Sequence, residues 1–218
     1  DRREEPGTEA RWDWHSPLGS LPRWLRRKRS DFPANGAYLV PDPARRARWR
    51  ARLDALGPEP TIGLCWRSGL LTPDRRRHYA PLTAWARLLA VPGVTWICLQ
   101  YDECGDELAT FEQLAGIRIH RWPDEDLKND LESVAALVAE LDGIVTAPTA
   151  ISSLAGAVGA RTWQVDSGSD WTIGGERASP WFPTVEVVPR RLPESWDAVM
   201  DRVAGGIRSS LLGRAEPG

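Results

Sequence analysis

The stretch Leu141-Asp-Gly-Ile-Val-Thr-Ala-Pro-Thr-Ala-Ile-Ser-Ser-Leu-Ala-Gly-Ala-Val-Gly-Ala-Arg-Thr-Trp-Gln-Val165 decides how the rest of the chain is read. A short apolar strand over 143–146 runs into a tight turn at Pro148, then a small-residue helix, then a second strand over 161–165. Thr149 stands at the N-cap position, where its hydroxyl is expected to accept a hydrogen bond from an orphan amide of the first turn. Ser152, Ala155 and Gly156 keep the helix thin, so that a ligand or a second backbone can come close. Gly159 supplies the positive φ that ends it. A strand feeding a helix whose free amides face a crevice is a ready anion site, and phosphate is its commonest occupant. The unit carries neither Gly-Lys-Ser/Thr nor GxGxxG, so it is not a P-loop and not a dinucleotide fingerprint.

Working outward, the same alternation repeats. Residues 61–66 (TIGLCW) and 94–99 (VTWICL) are apolar runs of the buried parallel-strand kind, 117–120 reads as a third strand and 185–188 as a last one. Helical patterns fill 82–89, 106–114, 126–141 and 194–212. In the third of these, Leu127, Leu131, Val134, Ala135, Val138 and Leu141 form one stripe. Asp126, Asp130 and Glu132 lie in its first turns, where the helix dipole favours them. Asp42-Pro43 opens a further helix that Gly57-Pro58 stops. Regular alternation at this spacing predicts an α/β fold: a doubly wound parallel, Rossmann-like sheet of about six strands with right-handed crossovers.

The totals narrow the function classes. The chain has 218 residues, a net charge of −2 and a pI near 6.0, so no global field recruits nucleic acid or an anionic membrane. Three cysteines (Cys65, Cys98, Cys104) lack metal-ligand spacing and suit a reducing, cytoplasmic compartment. No apolar run approaches the roughly 20 residues of a spanning helix. The chain begins at Asp1 rather than Met and so reads as a fragment or processed piece. Of its 12 tryptophans, Trp122, Trp171 and Trp181 lie in loop-like stretches where a flat ring can serve a ligand. Residues 1–11 are expected to be disordered. His15 and the Arg26-Arg-Lys-Arg29 run read as surface features.

Taken together, several short motifs resemble the carboxyl-terminal, donor-binding half of a two-domain GT-B glycosyltransferase. They are Gly63-Leu-Cys-Trp-Arg-Ser-Gly69, Arg77-His-Tyr-Ala-Pro-Leu82, Pro92-Gly-Val-Thr-Trp-Ile-Cys-Leu-Gln-Tyr-Asp102, Asp126-Leu-Lys-Asn-Asp-Leu131, Pro148-Thr-Ala150, Leu154-Ala-Gly-Ala157 and Pro180-Trp-Phe-Pro183. The likeness is to bacterial proteins that join tetratricopeptide repeats to a heptosyltransferase-like region, and it covers residues 61–207. It implies that 12–58 is a linker and helix leaving an amino-terminal lobe, and that 59–213 is the nucleotide-sugar-binding domain. The acceptor site and general base would then lie outside this chain. Pro148 and Ser153 depart from the Asp and His that many heptosyltransferase-like sequences carry there, so donor identity does not transfer.

The resemblance implies a metal-independent transfer from a nucleotide-diphosphate sugar, with no further cofactor. Charge developing on the leaving group would be met by fixed cations and amides. Arg67, at the tip of the first strand, and Arg77, within the Arg75–Arg77 cluster, are the expected charge-stabilising residues. Expected donor contacts are Ser68, Gln100, Tyr101, Asp130, Thr149, Ala150, Ile151, Ser153 and Asp170. The partners implied are the donor, the amino-terminal lobe and tetratricopeptide repeats of the parent chain. A non-catalytic nucleotide- or protein-binding scaffold that keeps the fold is the alternative. A related two-lobed epimerase is disfavoured, since no matching acid and histidine pair is seen.

Overall fold

The computed structural model describes residues 13–32, 37–168 and 178–213, and divides into two compact units, Asp1–Pro33 and Ala34–Gly218. The expectation for 1–11 and the proposed contacts of Asp170 and Trp171 lie outside the described residues. In the first unit, helix α1 (Pro22–Leu25) is flanked by 3-10 turns at Leu18–Ser20 and Arg29–Asp31. Asp31 accepts the amides of Arg27 and Lys28, and Arg26 lies over the Phe32 ring. His15 is exposed.

The second unit runs α2 (Pro43–Asp54), β1 (Thr61–Cys65), α3 (Pro73–Arg76), α4 (Leu82–Leu89), β2 (Thr95–Cys98), α5 (Gly105–Ala115) and β3 (Ile119–His120). It continues with α6 (Leu131–Glu140), β4 (Gly143–Thr146), α7 (Ala150–Val158), β5 (Thr162–Asp166), β6 (Val185–Pro189) and α8 (Trp196–Ile207), which ends in a π-helical turn, Arg208–Leu212. All six strands are parallel, in the order β3-β2-β1-β4-β5-β6. This is the doubly wound order expected from the alternation, and its direction reverses between β1 and β4. In open α/β sheets that reversal opens a crevice at the carboxyl ends of the strands.

Strands buried on both faces need a helical layer on each side. One core joins the sheet to α4, α5 and α8 through Trp66, Trp85, Trp96, Phe111, Val199 and Val203. The other joins it to α2, α6 and α7 through Trp49, Leu53, Leu137, Val138, Ile144 and Ile151. Each fully buried large side chain contributes about 2–3 kcal/mol by leaving water. Helix α2 adds polar anchors. Trp49 Nε1 donates to Ser133 Oγ (3.0 Å), and Trp122 packs edge-on against the Trp49 ring. Arg46 and Arg50 converge on Glu140, and Arg48 and Arg52 on Glu125.

Helix α6 and strand β3 depart from the sequence expectation. Helix α6 begins at Leu131 rather than at residue 126, because Asp126 Oδ1 accepts the amides of Lys128 and Asn129 and closes a separate turn. Asp130 is the true cap, accepting Ser133 N (3.0 Å). Strand β3 shrinks to two residues at the sheet edge, paired only with β2. The thinness of α7 has a packing cause: a Cβ at Gly156 would come within 2.2 Å of Phe182 Cγ. A second backbone does approach this helix, since Tyr38 N and Leu39 N both donate to Ala157 O. Gly159 ends it with φ of 79°.

Candidate active site at the sheet reversal

The crevice at the β1/β4 reversal holds a cavity of about 540 Å³. Ser68 follows β1, Tyr101 follows β2, Pro148, Thr149 and Ala150 join β4 to α7, and Asp166 with Ser167 ends β5. Arg75, His78 and Tyr79 complete the wall from α3 and the turn after it. The first amides of a helix have no intrahelical acceptor, so those of α7 give this wall a positive end. Thr149 occupies the N-cap position with extended backbone, but its hydroxyl does not cap the helix. It lies 3.3 Å from Thr146 Oγ1 and 3.6 Å from Cys65 Sγ instead. That leaves the capping expectation unmet and the first-turn amides unsatisfied by this side chain. Burial pushes the Cys65 thiol up to about 11, so it stays a neutral neighbour of Thr149.

Arg67 is placed differently from the leaving-group role expected of it. Its side chain is 9% exposed and does not line the cavity. Nε donates to both Glu107 oxygens (2.8 and 2.9 Å) and Nη1 to Asp102, while Nη2 reaches Glu107 and the Glu103 carbonyl. The Glu107 hydrogen bond, then Asp102, raises its pKa above the ordinary arginine value. Arg67 is thus the hub of an ion cluster behind the crevice. Gln100 belongs to the same framework: its amide donates to Arg67 O (3.0 Å) and Asp102 Oδ1 (2.8 Å), with the residue 1% exposed. Arg77 is solvent-facing, paired with Asp74, and does not line the cavity. Arg75 is the member of the cluster that enters the wall, with Nη1 3.4 Å from Ser68 Oγ.

A second cavity of about 530 Å³ shares Tyr101 and Ala150 with the first. It is predominantly apolar, walled by Leu127 and Leu131 on one side and Ile151, Leu154 and Ala157 on the other, with Lys128 and Ser153 at its polar edge. Tyr101 lines both cavities; its hydroxyl accepts Gly69 N (3.0 Å), and burial raises its pKa. Asp130 borders neither, being held by Arg45 Nη1 (2.6 Å) and by its capping bond. The structure therefore groups Ser68, Tyr101, Thr149 and Ala150 in one cavity, and Tyr101, Ala150, Ile151 and Ser153 in the next. His78 and Asp166 were not singled out as site residues from the sequence. His78 Nδ1 lies 3.1 Å from Ser167 Oγ across 89 positions, a proximity that local pattern does not carry. Among the described residues no group of three or more His, Cys, Asp or Glu is arranged to hold a metal, and no helix is long and apolar enough to cross a membrane.

This placement of a two-part crevice on a 3-2-1-4-5-6 sheet can be set beside solved structures. E. coli ADP-heptose LPS heptosyltransferase II superimposes with a TM-score of 0.61 at 14% identity, over 88% of this chain and 59% of that one. The fold is glycosyltransferase-like. A glycosyl transferase family 9 structure from Veillonella parvula agrees, with a TM-score of 0.56 at 11% identity, covering 83% of this chain and 55% of the other. In sequence, the chain is 38% identical over 198 residues to protein FlbA of Caulobacter vibrioides, covering 91% of this chain. The chain spans 33% of FlbA's length. No family model matches it.

Proposed function

We propose that this chain is the donor-binding half of a glycosyltransferase and holds a nucleotide sugar across the two joined cavities. The observation that carries the reading is the cavity at the β1/β4 reversal, where the start of α7 faces Arg75 and His78. Donor phosphate would lie against the amides of Ala150 and Ile151 and the hydroxyls of Ser68 and Thr149, with Arg75 closing over it. The nucleoside would fill the apolar cavity, its ring between the Leu127–Leu131 side and Leu154, with Tyr101 at the junction.

Transfer needs charge stabilisation at the departing phosphate, which Arg75 and the α7 amides supply here without a metal. Arg67 contributes by fixing the β1 and β2 ends, and Arg77 is not required. The base that activates the acceptor, and the acceptor itself, belong to an amino-terminal lobe of a longer, cytoplasmic parent protein, with tetratricopeptide repeats as a further partner. The isolated chain should bind donor and not turn it over.

The test is titration of the 218-residue chain with uridine, guanosine, adenosine and cytidine mono- and diphosphates, followed by tryptophan fluorescence and calorimetry. One nucleotide series should bind at micromolar to millimolar concentration. Arg75→Ala should weaken it about tenfold, the loss of one charge-assisted contact, with thermal stability unchanged. Absence of binding by every nucleotide would defeat the reading and leave the scaffold alternative.

A further inference from the structure

Part of the apolar cavity's wall is supplied by the chain before α2. Tyr38 and Leu39 line it from there, facing the same space as Leu131 and Leu154. The backbone at this point is fixed, since Tyr38 N (2.8 Å) and Leu39 N (3.0 Å) both donate to Ala157 O of α7. Ala37 seats against the end of that helix: a Cβ at Gly159 would stand 2.9 Å from Ala37 Cβ. The Tyr38 ring is stacked on Phe182, with 22° between the planes and centroids 6.4 Å apart, yet Tyr38 stays 67% exposed. An aromatic side chain on an anchored backbone, left largely to water in a cavity wall, is surface that a flat ligand can cover. Only two torsions have to be held for it to do so, which keeps the ordering cost low.

The position of Tyr38 along α7 gives the ligand a direction. Ala150, in the first turn, lines both cavities, whereas Tyr38 is bonded to the helix at Ala157. Between those two residues the helix rises about 10 Å. A ribose and base together bridge such a span from a phosphate seated at the first turn. We infer that Tyr38 is a nucleobase-binding residue: its ring stacks on the base at the Ala157 end of the apolar cavity, while the phosphate stays at the start of α7. This rests on the nucleotide-sugar reading above and adds to it a wall drawn from the chain that enters the domain. The leucines supply apolar area, and the tyrosine adds a face-to-face contact. Every base has a π-face, so Tyr38 contributes affinity and not base choice.

The test titrates uridine, guanosine, adenosine and cytidine mono- and diphosphates against the wild-type chain, Tyr38→Ala and Tyr38→Phe, at a temperature where all three are folded. Tyr38 is mostly exposed, so thermal denaturation should place both variants close to the wild type. For the nucleotides that bind the wild type, Tyr38→Ala should weaken mono- and diphosphate alike by about tenfold, the loss of one base–aromatic stack. Tyr38→Phe keeps the ring and should bind as the wild type does. The ratio of diphosphate to monophosphate affinity reports the start of α7 and should be the same in all three proteins. Unchanged affinity in Tyr38→Ala, a loss that falls mainly on the diphosphate, or a Tyr38→Phe variant as weak as Tyr38→Ala would each overturn the inference and leave the nucleotide reading standing. Failure of the wild type to bind any nucleotide would remove that reading first, and this inference with it.

Discussion

Replacing Arg67 by Met separates a structural arginine from a ligand-binding one. Met keeps most of the aliphatic length and removes every donor. In the native chain those donors serve Glu107, Asp102 and the carbonyls of Ser68 and Glu103. Losing the cation leaves two carboxylates facing one another at the end of β2 and the start of α5. Breaking a fully buried pair costs about 3–5 kcal/mol, but Asp102 and Glu107 side chains are each 23% exposed and can draw water, so about 2–3 kcal/mol is expected. For a domain of this size that is a fall of roughly 5–10 °C in Tm. The residual repulsion is between charges near the surface, so about 1 M salt, with a screening length near 3 Å, should recover part of the loss. Calorimetry or circular dichroism in low and high salt measures it, beside nucleotide titration at a temperature where the variant is folded. Binding should change little. An unchanged Tm together with a tenfold loss of nucleotide affinity would refute the reasoning, because it would put the guanidinium in the cavity and not in the ion cluster.

Three further outcomes follow from packing and charge. Gly156→Val drives a branched side chain into Phe182 and should lower stability by about 1–3 kcal/mol, with Phe182→Ala restoring part of it in the double variant, read by thermal denaturation. Glu140→Ala removes the carboxylate shared by Arg46 and Arg50; since both arginines are almost half exposed and can turn to water, a loss of about 1–2 kcal/mol in urea unfolding is expected. The pKa of His120 is lowered by desolvation, then by Arg118, so the unfolded chain takes up that proton first. Its contribution is full above about pH 6.5 and is lost as pH falls toward the folded value, and His120→Gln should flatten the fall in Tm between about pH 7 and 5.

Where the sequence was legible, the cause is local. The strand Gly143–Thr146 announces itself by a short apolar run, and the helix Leu82–Leu89 by Leu82, Trp85, Leu88 and Leu89 on one face after Pro81. Gly159 was readable because a left-handed helix end favours glycine. The start of α6 was not, since Asp126 and Asp130 are both good caps, and the amides of Lys128 and Asn129 decide between them. The candidate site shows the same division. Thr149 and Ala150 follow from the turn after β4, whereas the choice among Arg67, Arg75 and Arg77 depends on residues far along the chain. The acids that hold Arg67 stand 35 and 40 positions away, and nothing near Arg67 in sequence betrays them.

One carbonyl ties the entry of the chain to the cavity. Ala157 O, in the last turn of α7, receives both Tyr38 N and Leu39 N, and Asp42 N is held a few residues on by Glu132 of α6. The backbone over 37–42 is therefore tethered to the two helices that wall the apolar cavity. A pull on this strap lands on the C-terminal turn of α7, and a helix of nine residues passes an axial push along its length. Whatever precedes residue 37 thus has a mechanical handle on the helix whose opposite end opens onto the polar cavity.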